Sequence, residues 1–176
     1  GDTGPHNLIL NDAGMSVRTR NPLNVLNDLT ITVGTLSTHY DASDYKDLTV
    51  TGLVWIGSGE LVTGDAAISM GGLLVGSSGK YDATSETTTI TSEDVTTGYA
   101  WDVNGTDSFD NNDGTVLFDL PASMDSHIRT GQTDGANSFH HLSVLLNAST
   151  NTLLLRPNGG TAITIEGDLT ITEGIV

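Results

Sequence analysis

Apolar and hydroxyl-bearing residues alternate in short runs along this chain. Leu29, Ile31 and Val33 are separated by threonines, Leu48 and Val50 by Thr49, and Leu169 and Ile171 by Thr170. A period of two puts successive side chains on opposite sides of an extended backbone, so each run reads as a strand with one buried face. The helical spacing i, i+3, i+4, i+7 is sustained nowhere, and no run ends in helix caps. An all-β chain is therefore expected.

The runs also resemble one another. DLTITVG at Asp28 to Gly34 returns as DLTITEG at Asp168 to Gly174. Looser copies are NLIL at 7–10, DLTVT at 47–51, GLLVG at 72–76 and HLSVL at 141–145. Their first leucines, Leu8, Leu29, Leu48, Leu73, Leu142 and Leu169, lie at steps of 21, 19, 25, 69 and 27 residues. The step of 69 is three times 23, which places degenerate copies at Thr87 to Thr91 (TTTIT) and Gly114 to Leu120 (GTVLFDL). A unit of this size that repeats is the mark of a solenoid, because one unit buries its apolar side only against its neighbours. The expected fold is a parallel β-helix, or β-solenoid, with coils of about 20–27 residues. Leu29, Ile31, Leu48, Val50, Leu73, Val75, Leu142, Val144, Leu169 and Ile171 would form its internal ladder. Glycines such as Gly34, Gly52, Gly57 and Gly76 would mark corners. A β-sandwich or jelly roll is the alternative, since its short strands alternate in the same way.

The expected organisation is a linker or collagen-like stalk end at 1–7, solenoid coils at 8–98, an irregular turn-rich excursion at 99–137, and further coils at 138–176. The opening GDTGPH reads as two Gly-X-Y triplets, which would make the parent a trimer. The chain starts at Gly1 and stops at Val176, and reads as part of something longer.

Composition narrows the function. Hydrophobic residues make up 36% and aromatics 5%, which suits many small strands better than one large globular core. The formal net charge of −16 argues against nucleic acid and anionic membranes as partners, because both need basic patches. No cysteine is present, so disulfide staples and thiolate chemistry are excluded.

The phrases DLTVTG, GGLLVGSSGKYDATSETTTIT, NNDGTVLF and FHHLSVLL, with the closing EGDLTITEG, resemble repeat-rich β-solenoid segments in structural proteins of phages and in bacterial surface proteins. The resemblance covers nearly everything from Leu8 to Val176. It implies a non-enzymatic structural role on a phage virion, as capsid decoration or fibre, in a rigid acidic rod. A trimer, neighbouring virion or surface proteins as partners, and a location on the virion surface or outside a cell follow from it. The alternatives are a bacterial surface adhesin that binds glycan or protein, and a β-helical polysaccharide lyase or glycosidase.

Candidate chemistry is sparse. Asp107, Asp110, Asn112 and Asp113 in DSFDNNDG could supply oxygens to calcium, the one cofactor considered, although the helix–loop–helix calcium pattern fails at Phe109. An Asx-rich turn explains the same letters. Tyr99 and Trp101 would share a strand face and could stack on a sugar or fill an interface. His140, with an Asp on the next coil, could capture a metal or sit at an interface, while His141 would point the other way. Carboxylates are plentiful, but no catalytic pair stands out among them.

Overall fold

The computed structural model describes residues 4–41, 44–121, 124–130, 137–148, 151–156 and 162–173. Among them are fifteen strands and no helix. The strands are β1 (Leu8–Arg18), β2 (Leu23–Val25), β3 (Leu29–Ser37), β4 (Leu48–Ile56), β5 (Glu60–Val62), β6 (Ile68–Val75), β7 (Lys80–Asp82), β8 (Thr87–Ile90), β9 (Tyr99–Val103), β10 (Phe109–Asp110), β11 (Thr115–Leu120), β12 (Ser126–Thr130), β13 (His141–Leu146), β14 (Leu153–Leu155) and β15 (Leu169–Glu173). Every pairing between these strands is parallel. The chain is a β-solenoid of about six turns, and the sandwich alternative falls because its sheets are antiparallel.

The pairings sort into three stacked faces. The first holds β2, the start of β4, the start of β6, β8, β11, β13 and β15. The second holds the starts of β1 and β3, the ends of β4 and β6, then β9, β12 and β14. The third holds the ends of β1 and β3, then β5, β7 and β10. The bridge between Phe139 and Ile165 continues it. Register offsets run from 19 residues, Val54 to Leu73, to 28, Thr88 to Val116.

Alternation puts one inward residue above another at each rung. On the first face the inner column runs Leu23, Leu48, Ile68, Thr88, Val116, Leu142 and Leu169. Beside it run Val25, Val50, Met70, Ile90, Phe118, Val144 and Ile171. On the second face Leu8, Leu29, Val54, Leu73 and Trp101 form one column, and Leu10, Ile31, Ile56, Val75 and Val103 its neighbour. Most of these side chains are fully buried. The longer coils enclose more space, and Tyr81, Trp101, Phe109, Phe118 and Phe139 fill it, with ring centroids 4.9 to 6.3 Å apart.

Three expectations are corrected by the register. Leu29 does not sit under Leu48; it pairs with Val54, while Leu48 pairs with Leu23 and Ile68. Both strands run parallel as neighbours, so the solenoid stands, but the ten expected ladder residues divide between two faces. Leu29, Ile31, Leu73 and Val75 belong to the second face, and Leu48, Val50, Leu142, Val144, Leu169 and Ile171 to the first. The two near-identical heptads therefore lie on different faces. All faces demand the same inward–outward alternation, so the phrase encodes a face segment and its corner, not a whole coil. Finally, Leu169 and Ile171 occupy rungs above Leu142 and Val144 yet are 50% and 46% exposed, because no described strand lies beyond β15.

The turn-rich stretch 99–137 contributes β9, β10, β11 and β12 to the stack, in register with the coils on either side; residues 131–136 lie outside the described residues, as do 1–3 of the expected stalk end. One corner is held by a column of threonine hydroxyls. Thr19 Oγ1 donates to Thr38 O, Thr38 Oγ1 to Thr63 O, and Thr63 Oγ1 to Asp82 O, at 3.0 to 3.1 Å. These bonds tie each coil to the next where the ladder is interrupted by a turn.

Candidate functional site

The candidate sites of a parallel solenoid are its outer faces and corners. The grooves along its surface are shallow. One of about 350 Å³ is lined by Asp65, Asp82 and Asp110 with Tyr45, Ser85 and Asn112.

The DSFDNNDG segment runs from the turn before β10, through that strand, to the corner that leads into β11. Asp107, Asn112 and Asp113 have φ of 52°, 46° and 61°, the left-handed conformation that Asn and Asp tolerate well. Their polar groups serve the turn. Asn112 Nδ2 donates to Ala83 O at 2.7 Å and to Asp82 Oδ1, and Asn111 Oδ1 accepts from Asp113 N–H at 3.0 Å. Asp107 lines a separate groove with Lys80 and Asn137, whereas Asn112 lines the one with Asp65 and Asp82. The expected calcium ligands are thus spread along a corner, and among the described residues no three His, Asp or Glu side chains are grouped to hold a metal ion.

Trp101 is not available to a ligand: it is fully buried against Tyr81, Phe109, Phe118 and Phe139. It pairs with inward Leu73 of β6 and alternates with Val103, so it belongs to the inner column of the second face. His127 pairs with Tyr99 but Ile128 pairs with Trp101, so Ala100 is skipped and Tyr99 does not share the inward register of Trp101. Tyr99 packs edge-on to His127, with the Arg129 guanidinium 4.6 Å from its ring centre. Arg129 also grips Asp102 with two bonds, Nε to Oδ1 at 2.7 Å and Nη2 to Oδ2 at 2.5 Å. That hydrogen-bonded carboxylate raises the arginine's pKa further. The Asp102 side chain is 7% exposed, so this is a semi-buried ion pair within the second face. Burial, with Arg156 nearby, pushes the His127 pKa down.

His140 does meet an Asp of the adjacent coil. Its Nδ1 stands 3.3 Å from Asp113 Oδ1 on one side and 4.0 Å from Glu166 Oε2 on the other. Glu166 in turn accepts from Ser138 Oγ. His141 stands edge-on to His140 and accepts from Asp168 N–H at 3.0 Å, so its Nδ1 is spent on the backbone of the last rung. The arrangement is a corner that ties three coils together.

Trp55 is not among the candidate residues named from the sequence. It lies between inward Val54 and Ile56, so alternation sends it outward, and it is 41% exposed. Its indole reaches over Gly57, where an added Cβ would come within 2.8 Å of Cη2. A glycine there lets the ring lie down along the sheet. In the same outward column stand Ile9, Thr30 and Leu74, paired in register across four coils. The signal was legible: an aromatic residue at an outward position of a two-residue alternation.

No protein-family model, no curated protein and no solved structure matches the chain.

Proposed function

We propose that this chain is a non-enzymatic structural segment on the surface of a phage virion, as capsid decoration or fibre. It acts there as a stiff acidic rod, assembled as a trimer. The observation that supports this most is the continuous parallel pairing of the first face from β2 to β15, shifted in register only at Leu145. Every coil is hydrogen-bonded to the next, so bending requires breaking a ladder, and a net charge of −16 keeps rods apart in solution. Antibodies raised to the segment and labelled with gold should decorate purified virions at a fixed position. Labelling confined to a bacterial envelope, with bare virions, would overturn the placement.

A surface adhesin is the second reading, and exposed Trp55 favours it, because flat aromatic rings stack on sugar rings. Glycan-array binding lost in Trp55→Thr would select it. Release of reducing or unsaturated ends from acidic polysaccharides would overturn both readings in favour of an enzyme.

A further inference from the structure

The outward column of the second face begins with Ile9, Thr30, Trp55 and Leu74. Ile9 is 66% exposed and Trp55 41%. Two residues further along the chain, Thr32, Gly57 and Gly76 carry no charge. The next rung of the column is Asp102, paired with Leu74, but its side chain is only 7% exposed and is held by Arg129. Asp28 is turned to the corner, where Oδ1 accepts from Leu53 N–H at 2.9 Å and Oδ2 from Asn27. By contrast, the outward positions of the third face carry Arg18, Glu60, Lys80, Asp82 and Asp110. The equivalent column of the first face, Asn24, Thr49, Ser69 and Thr89, is uncharged but polar, and gains little by leaving water.

We propose that the Ile9–Thr30–Trp55–Leu74 column is a self-association surface, occupied by the same column of a second copy of this chain. The argument for a copy is electrostatic. Two chains of charge −16 repel, and can touch only where neither presents a carboxylate. This strip meets that condition and is also apolar and aromatic, as interface centres are. A sheet face with one side chain per rung matches itself without rearrangement. Four rungs at about 4.8 Å and strands of about five residues make a strip of roughly 300 Å². That is below the roughly 800 Å² per partner of a stable complex, so a single contact is weak and gains strength when copies are held together. The surface offers a pairwise contact between copies, and it does not depend on a virion location or on a trimer.

The test is sedimentation velocity from micromolar to near-millimolar concentration, with tryptophan emission read in parallel. Trp101 is buried, so the red-shifted, quencher-accessible emission belongs to Trp55. Oligomers should form with rising concentration as that emission moves to shorter wavelength. Trp55→Thr and Ile9→Thr should each weaken association at least about tenfold while melting as the parent does. Thr49→Lys, on the first face, should leave association unchanged. A monomer at all concentrations overturns the proposal, as does association that survives both column variants. So does a monomer whose Trp55 binds glycan, because that assigns the platform to sugar. If virions prove unlabelled while the oligomers form, the location fails and this surface stands.

Discussion

Tyr81 shows how burial alone reshapes one residue's chemistry. Its ring is fully buried beside Trp101 and Phe109, and its hydroxyl meets Thr88 Oγ1 at 2.7 Å. Desolvation of the phenolate pushes its pKa up from 10.0 to about 12, against the opposing hydrogen bonds of Thr88 and Thr63. The raised value means the neutral form is favoured by the fold. The stability it confers is complete below pH 10 and is lost as pH rises toward 12, because the unfolded chain ionises first. Ultraviolet titration should show an ionisation near pH 12 that is missing in Tyr81→Phe. Trp101 is the second residue-scale case. Its indole N–H has no hydrogen-bond partner among the described residues. Trp101→Ala should cost about 3–5 kcal/mol in urea unfolding, as a large core cavity does. Trp101→Phe should cost clearly less, since it removes the unpaired donor with much of the volume kept. Equal losses for the two would show that the N–H is satisfied.

For the strands, position in the stack decides what a substitution does. Ile31 has coils on both sides and is wholly buried; Ile171 is on the last described rung and is 46% exposed. Ile31→Asp should remove about 4 kcal/mol or more, enough to abolish a cooperative β melt, whereas Ile171→Asp should cost under about 1 kcal/mol. Both residues sit in the same phrase, DLTIT, and the sequence makes them look equivalent. Corners divide in the same way. Gly34 has φ +94°, and a Cβ there would lie 2.6 Å from Asp12 O, so Gly34→Ala carries both strain and a backbone clash. Gly98 has φ +73° but nothing nearer than 3.6 Å, so Gly98→Ala carries the strain alone and should melt the higher of the two.

At the level of the whole molecule, about six turns at roughly 4.8 Å give an axial length near 30 Å. Stability in such a stack is a sum of neighbouring-coil terms, opposed by self-repulsion among 22 acidic residues with only 6 Lys and Arg to offset them. Salt screens that repulsion over a length of about 10 Å at 0.1 M. Raising sodium chloride from a few millimolar to physiological strength should therefore raise the melting temperature by a few degrees. A melting temperature that falls would show that the ion pairs, Arg129 with Asp102 and Lys80 with Glu60, outweigh the repulsion.

The sequence by itself determined the fold class, because the two-residue alternation and the recurring phrase are local and visible. It determined that Leu29 and Leu169 point inward, for the same reason. It left the Asx-rich segment open between a turn and a calcium loop, since the same letters suit both. Only the tertiary structure decided which coil lies on which. Three faces share one alternation, so a phrase cannot say whether it sits on the first face or the second. Alternation alone sends Trp55 outward, but only the tertiary structure decided that Trp101 is core. Pairing with Leu73 of the preceding coil turns Trp101 inward, and a skipped residue at Ala100, set by pairing with β12 nearly thirty residues on, parts Tyr99 from it.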